Sequence, residues 1–226
     1  MDFIGLINRA KSECGIAGNP ITALTGNSNE MIRLAGWVST AWQDVQTERQ
    51  DWRFMRKPFT VNTVADVQSY SPASASISDY SKWKDDSFRI YRTADGVDNE
   101  QFLTHWEDYS EFRDYYLFSS LRSQRSTPTD IVIDPDDNLL LGFTPDDVYT
   151  VVGEYYRKPQ ELTLATDTPI IPSEFHMIIV YETMISYGYF NVASEQLSRG
   201  REKLAKLKSR LLQKYSPIIG IGDSFI

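Results

Sequence analysis

The sequence contains few of the side chains that usually carry catalysis or bind metals. Among its 226 residues there is one cysteine, Cys14, and there are two histidines, His105 and His176. A single cysteine excludes a disulfide within the chain and a thiolate metal cluster, and we interpret Cys14 as a buried, inert thiol. The histidines lie 71 positions apart, and neither has a histidine one helical turn away. This spacing does not match a zinc site, and we predict no metal ligands.

Long apolar runs and glycine-rich phosphate loops are also missing. The most apolar run, residues 175–190, is interrupted by His176 and Glu182 and is not typical of a membrane span. The first residues, MDFIGLINRAKSEC, have no basic leader and no small-residue cleavage site, so we expect the chain to fold in a cytoplasm. No GK[ST] motif occurs and no glycine-rich loop follows a strand, so we expect no nucleotide and no other cofactor.

Two partial matches to functional motifs have simpler explanations. Asp134, Asp136 and Asn138 resemble the start of a calcium loop, but Leu139 stands where a glycine is needed and Pro145 where a glutamate should close the site. A hairpin turn is therefore the favoured interpretation. Neither histidine has the neighbourhood of a nucleophile with its base, so we predict no catalytic residue and no enzymatic activity.

The formal charge of −8 is unevenly distributed. Residues 199–214 carry seven basic side chains and one acid, Glu202, a net charge of +6 that leaves −14 for the rest of the chain. An acidic body repels nucleic acid, whereas a short basic helix attracts DNA or an acidic protein surface. The sequence favours a structural role, in which the basic side chains neutralise acids nearby. The basic residues are Arg199, Arg201, Lys203, Lys206, Lys208, Arg210 and Lys214.

Helical periodicity occupies the first quarter of the chain. An apolar repeat predicts one helix over residues 2–13, stopped by Gly15. A second apolar stripe over residues 31–45 predicts a helix that begins at Asn27 as N-cap, with Glu30 three residues further on.

The helical pattern returns near the end of the chain. Ser173 is placed to cap one helix and Ser194 to cap a last, basic helix that ends before Pro217. A short helix over about residues 107–118 is also predicted, within a region that otherwise has strand character.

Strand-like segments rich in β-branched and aromatic residues lie between the two helical regions. They read RFMRKPFTVNTV, SFRIYRT, DIVIDPDDNLLLGF and VYTVVGEYYRKP. Residues 131–133 and 139–142 are separated by DPDDN, which predicts an antiparallel hairpin with a Pro-Asp turn.

The order of helices, strands and helices predicts an α+β fold. The most economical topology is a helical bundle of residues 1–52 and 173–214 with an antiparallel β domain of residues 53–172 inserted into it. Residues 215–226 would form an extended C-terminal tail.

The segment GWVSTAWQDVQTERQDWRFMRK, residues 36–57, places three tryptophans among seven charged side chains. Trp42 lies on the apolar stripe and is predicted to be core, whereas Trp37 lies to one side and is predicted to contact a neighbouring element. The tyrosine pairs at 115–116 and 155–156 predict one inward and one outward ring each. An outward aromatic ring in an acidic protein favours a protein interface over base stacking.

Several stretches together resemble the head-to-tail adaptor proteins of tailed bacteriophages. They are NEMIRLAGWVSTAWQDVQTERQDWRFMRKPFT, SFRIYRTADGVDNEQFL, VYTVVGEYYRKPQELT and IPSEFHMIIVYETMISYG, and they span most of the chain. The resemblance rests on packing motifs without catalytic content: a helix with a W-x₄-W spacing that runs into DWRF, the strand end GEYYRKP, and a P-x-x-F-H helix opening.

The resemblance implies a structural virion protein, a ring of usually twelve subunits at the head-to-tail joint. The portal protein would lie above it and a tail nozzle or tail-tube protein below, and genomic DNA would pass through during ejection without specific binding. It also implies that the C-terminal region docks on the portal. The implied portal-facing residues are Arg199, Arg201, Lys203, Lys206, Arg210, Lys214, Ile218, Ile219, Ile221, Phe225 and Ile226.

A second hypothesis follows for the tryptophan-rich segment. Trp37 and Trp52, with Arg53 and Arg56, would fix the β domain on the bundle or pack against the next subunit. Two other functional classes stay open. A tail-completion or tail-tube protein should be dominated by a β-sandwich, and a DNA-binding module should expose the basic helix and bind with a steep salt dependence.

Overall fold

The fold mixes helices and sheets, which confirms the predicted α+β class. The computed structural model describes residues 1–216 and divides the chain into two compact units. One unit combines Met1–Met55 with the chain from Pro159 onwards, and the other is Arg56–Lys158. The described helices are α1 (Phe3–Glu13), α2 (Asn29–Thr47), α3 (Tyr109–Phe112), α4 (His176–Phe190) and α5 (Ser194–Tyr215).

The first unit is a bundle of α1, α2, α4 and α5. Leu6 of α1, Trp42 of α2 and Ile178 of α4 are all fully buried in it, so the predicted core role of Trp42 is confirmed. Two glycines allow α4 and α5 to approach closely. A Cβ added at Gly188 would lie 2.9 Å from the Cβ of Leu197, and one added at Gly200 would lie 3.1 Å from Cγ1 of Ile185.

The starts of the first two helices are set by local capping bonds. The carboxylate of Asp2 accepts the Gly5 amide at 2.9 Å at the start of α1, and the helix ends at Glu13, two residues before Gly15, whose φ is +73°. The predicted N-cap of α2, Asn27, is wrong by one residue. Ser28 is the N-cap and accepts from the Met31 amide, whereas the side chain of Asn27 donates to the Ala23 carbonyl.

The two predicted serine caps near the C-terminus are also wrong. Ser173 already lies inside a 3₁₀ turn, Ser173–Phe175, that leads into α4, and Ser194 is the first residue of α5 after Ala193. No side-chain capping bond is formed at the start of α4 or of α5. A capping serine must stand outside the helix with its oxygen aimed at the second or third amide, and neither serine does so.

The segment after the strands belongs with the helices. The predicted β domain ran to residue 172, but the second unit ends at Lys158. The Phe3 amide donates to the carbonyl of Asp167 at 2.7 Å. Gln46 of α2 forms two bonds with the backbone of Gln160, at 2.6 and 3.0 Å. Because these bonds satisfy its backbone without strand pairing, the segment follows the bundle rather than a sheet.

The second unit holds two sheets. The strands are β1 (Arg56–Asn62), β2 (Ser69–Tyr70), β3 (Tyr80–Trp83), β4 (Arg89–Arg92), β5 (Gln101–Phe102), β6 (Thr104–Trp106), β7 (Asp130–Ile133), β8 (Leu139–Leu141) and β9 (Tyr149–Arg157). The first sheet has the order β1-β9-β4-β5, with β3 also paired to β9, and the second has the order β2-β8-β7-β6.

The predicted hairpin is confirmed, but the sheets are not wholly antiparallel. β7 and β8 pair antiparallel, with Ile131 opposite Leu141. β6 instead runs parallel to β7, with His105 opposite Ile131. The chain between β6 and β7 contains α3, and a crossover of this length permits parallel pairing that a short hairpin does not.

Both faces of the second sheet are covered. On one face its side chains share a core with the first sheet, in which Phe59, Trp83 and Ile131 are buried together. On the other face α3 and the π-helical turn that follows it, Arg113–Leu117, pack Phe112 and Tyr116 against the sheet. The helix predicted near residues 107–118 is therefore confirmed as α3 and this turn.

Candidate interaction surfaces

One face of α5 carries the basic stripe, which we define as Arg199, Lys203, Lys206, Arg210 and Lys214. Successive members are three or four residues apart, so they lie on one side of the helix, and all of them are exposed. Gly200 and Leu211 are the buried residues of α5. The helix therefore rests on the bundle by a narrow apolar seam and leaves the stripe in solvent.

Three members of the basic stripe pair with acids of their own chain. Arg199 pairs with Glu13 of α1. Lys206 pairs with Glu202 at 2.6 Å, and this hydrogen bond lowers the pKa of Glu202.

Lys214 makes the third pair, with Glu174 at 2.6 Å, and that bond raises the pKa of Lys214. Among residues 1–216, Lys203 and Arg210 have no carboxylate within 4.0 Å. These two side chains keep unpaired positive charge on the stripe.

Two further basic residues of α5 lie outside the stripe and form contacts within the bundle. The guanidinium of Arg201 donates to the hydroxyl of Tyr189 and lies 5.3 Å from its ring centre. Lys208 lies between Glu182 of α4 and Glu48 at the end of α2, at 2.7 and 3.0 Å. The structural role suggested by the sequence thus holds for part of the basic helix. The other predicted portal-facing residues, Ile218, Ile219, Ile221, Phe225 and Ile226, lie outside the described residues.

A second surface surrounds Trp37, which contacts α4 as the sequence predicts. Its ring lies 5.5 Å from that of Phe190 and 6.3 Å, edge to face, from that of Tyr187. The guanidinium of Arg33 covers the Phe190 ring at 4.1 Å. We call the cleft beside these rings the Trp37 groove; it has a volume of about 240 Å³. Its lining residues are Ile16, Asn29, Glu30, Arg33, Leu34, Trp37, Tyr187 and Asn191.

The other proposed interface residues have different surroundings. Trp52 is buried, its ring stacks on Phe54 at 5.4 Å, and its indole donates to the Val45 carbonyl at 2.9 Å, so it offers no free surface to another subunit. Arg53 is exposed. Arg56, at the start of β1, donates to the Tyr156 hydroxyl at 3.2 Å.

A third surface, which the sequence did not single out as a site, lies on the second unit beyond α3. Tyr115 and Phe118 are 52% and 71% exposed, respectively. We call these two rings the aromatic knob. Tyr115 stacks on Trp106 at 5.8 Å, and the adjacent Tyr116 is buried, as the inward and outward tyrosine pattern predicts. Four acids that precede the knob closely in the sequence are exposed: Glu107, Asp108, Glu111 and Asp114.

The residues considered for chemistry occupy structural positions. His176 is buried, and its Nδ1 lies 2.7 Å from the amino group of Met1. The carboxylate of Asp134 accepts the amides of Asp136 and Asn138, both at 2.9 Å, which is the predicted turn. Within residues 1–216, no cluster of three or more His, Cys, Asp or Glu side chains is arranged to hold a metal ion. None of the helices in that range has the length and apolar composition of a membrane-spanning segment.

Similarity to known protein families identifies the kind of protein to which these surfaces belong. The family model described as SU10 adaptor protein matches residues 1–217. The chain belongs to the SU10 adaptor protein family. No curated protein matches it. This is a family of phage head-tail adaptors, so the chain is a structural component of the virion, and its functional residues are expected on contact surfaces.

The charge of this adaptor is concentrated in one of its two units. Arg56–Lys158 holds eleven basic and eighteen acidic residues, a net charge of −7, whereas the remainder of the chain sums to −1. The basic helix therefore neutralises the helical unit, and the β unit carries the acidic character of the adaptor.

Proposed function

We propose that this adaptor forms a closed ring of twelve subunits between the portal of the DNA-filled head and the tail. In this proposal the basic stripe and the C-terminal segment dock on the portal, and a tail nozzle or tail-tube protein binds below. The protein acts as a structural connector and not as an enzyme, and it belongs to the host cytoplasm before assembly.

The basic stripe is the observation that carries the portal contact. Lys203 and Arg210 are exposed and without a carboxylate partner in the described part of the chain, on a helix whose remaining stripe residues are paired. Cations that have no carboxylate partner attract an acidic protein surface, and they can pair with it without first breaking an ion pair of their own chain. Arg199, Lys206 and Lys214 would exchange intramolecular partners for portal carboxylates, and Arg201, which faces Tyr189, contributes less.

The acidic β unit supports a role in the DNA channel. Phosphate backbones are repelled by carboxylates, so a conduit lined by the unit with net charge −7 would not retain DNA as it passes during ejection. The helical unit, with four described α-helices, does not match a tail-tube protein built mainly as a β-sandwich.

Sedimentation with a purified portal ring tests the proposal. Full-length adaptor is compared with a chain truncated after Tyr215 and with the double variant Lys203→Glu and Arg210→Glu. We expect the full chain to co-sediment and both variants to bind at least about tenfold more weakly, a loss of about 1.4 kcal/mol or more. The double variant Lys82→Glu and Arg122→Glu makes the same change of charge on the β unit and should bind as the wild type does.

The same assay separates the proposal from DNA binding. If no form of the adaptor binds the portal, and the full chain instead binds duplex DNA with an affinity that falls steeply with salt, the connector proposal is wrong. A ring that forms on the portal and leaves DNA unbound at physiological salt supports it.

A further inference from the structure

The Trp37 groove has the composition of a protein-binding hot spot. Trp37 is half-buried, and its indole N–H has no hydrogen-bond partner among residues 1–216. Tyr187 and Arg33 also line the groove, and tryptophan, tyrosine and arginine are the side chains that dominate binding energy at protein interfaces. Phe190 packs against Trp37 from beside the groove. The volume of about 240 Å³ is below the roughly 300–1,000 Å³ of pockets that hold drug-sized ligands. The groove therefore suits one or two side chains of a protein partner.

The aromatic knob is held in place before any partner binds. Trp106, on which Tyr115 stacks, donates its indole N–H to Asp130 at 2.9 Å. Tyr116 donates to the other oxygen of the same carboxylate at 2.7 Å. Phe118 lies under the guanidinium of Arg113 at 5.1 Å. A preordered aromatic surface loses little conformational entropy on docking.

We propose that the aromatic knob of one copy docks in the Trp37 groove of the next copy and forms the repeating contact of the ring. This inference rests on the proposed ring and names the two surfaces that build it. A ring requires a heterologous contact, in which two different surfaces of one chain are complementary.

Charge complementarity supports the pairing of these two surfaces. Arg33 at the groove would face the exposed acids that precede the knob in the sequence, of which Glu111 has no cation within 4.0 Å in the described chain. Glu30, also at the groove, would face Arg113. Opposite charges at both positions fix the register, while the aromatic rings supply most of the buried apolar area.

Cysteine crosslinking on the portal-assembled ring tests the contact directly. Asn191→Cys marks the groove and Asp114→Cys marks the knob, and the native Cys14 is buried and does not compete. With a short bismaleimide, a chain carrying both changes should give a ladder of covalent oligomers. An equal mixture of the two single variants should stop at dimers. A chain with Asn191→Cys and Gln101→Cys, beside the exposed Phe102 outside the knob, should give no ladder.

Substitutions supply a second measurement. Phe118→Ser should weaken ring assembly at least about tenfold, whereas Phe102→Ser, a change at a similarly exposed ring that also lies under an arginine, should not. Arg33→Glu and Glu111→Arg should each weaken assembly, and the two together should restore it. Thermal denaturation confirms that each variant is folded.

The outcomes distinguish this inference from the function on which it rests. Wild-type rings on the portal, combined with no knob-to-groove crosslink and no effect of Phe118→Ser, overturn the inference and leave the connector function intact. If the wild type forms no oligomer with the portal, the proposed function and this contact are both wrong.

Discussion

The ammonium of Lys208 lies 2.7 Å from the carboxylate of Glu182, which joins α5 to α4 by an ion pair partly shielded from water. Glu48, the residue that caps the end of α2, approaches the same ammonium at 3.0 Å. Burial opposes the charge on Lys208, but its hydrogen bonds to the two carboxylates outweigh this effect and raise its pKa. One lysine therefore connects three helices of the bundle.

Replacement of this lysine should destabilise the bundle. Lys208→Met leaves two partly buried carboxylates without their cation, and we expect the free energy of unfolding to fall by about 1–3 kcal/mol, between the values for exposed and buried pairs. Lys206→Met removes a cation from a pair exposed to solvent and should leave the free energy of unfolding almost unchanged. Urea denaturation of the two variants decides between them, and equal effects would contradict the bridging role.

The two helical glycines Gly188 and Gly36 should respond to alanine with opposite signs. A Cβ at Gly188 of α4 would lie 2.9–3.0 Å from atoms of Leu197, whereas one at Gly36 of α2 would have no neighbour within 4 Å. Gly188→Ala should therefore cost about 1–3 kcal/mol by overpacking. Gly36→Ala should stabilise the protein by about 0.5–1 kcal/mol through helix propensity. Thermal denaturation shows both shifts, and stabilisation by Gly188→Ala would contradict the close helix approach.

Stability should fall in mildly acidic solution because of His176. Burial, and then the charge of the Met1 amino group, lower the pKa of this imidazole. As the pH falls below about 6.5, the unfolded chain takes up a proton before the folded one does, so the free energy of unfolding decreases. Unfolding of the wild type and of His176→Gln is measured between pH 7.5 and 5. The variant should lose part of this dependence, and identical pH profiles would show that His176 does not cause it.

The single thiol should be inert in the folded protein. Burial raises the pKa of Cys14 to about 12, so almost no thiolate forms near neutral pH. Alkylation by iodoacetamide should be slow in buffer and fast in denaturant, as read by mass spectrometry. Complete labelling of the folded protein within minutes would contradict this burial.

Much of the fold could be predicted because its signals are local. The apolar stripe of α2, the turn at Asp134 and the left-handed Gly15 each depend on residues within a few positions in the chain. The capping errors at Asn27, Ser173 and Ser194 have a similar local origin. Several residues near each helix start could cap it, and backbone geometry selects among them.

The interaction surfaces were less accessible to sequence reasoning. The sequence shows that α5 is basic, but it does not show which of the cations form ion pairs within the chain. Arg199, for example, pairs with Glu13, which lies 186 positions away. The position of Trp52 beside charged residues predicts an interface role, whereas in the structure its indole points inward and donates to the Val45 carbonyl. The groove draws on α2, α4 and the loop at Ile16, and no sequence pattern connects these segments.

The sequence by itself determined the α+β class, the main helices and strands, and the poverty of catalytic and metal-binding side chains, because these follow from composition and from periodicity along the chain. Only the tertiary structure decided that β6 runs parallel to β7, which cations of α5 keep free charge, and which aromatic rings face solvent. Those outcomes depend on contacts between residues far apart in sequence, whose free energies are realised only when the core has packed.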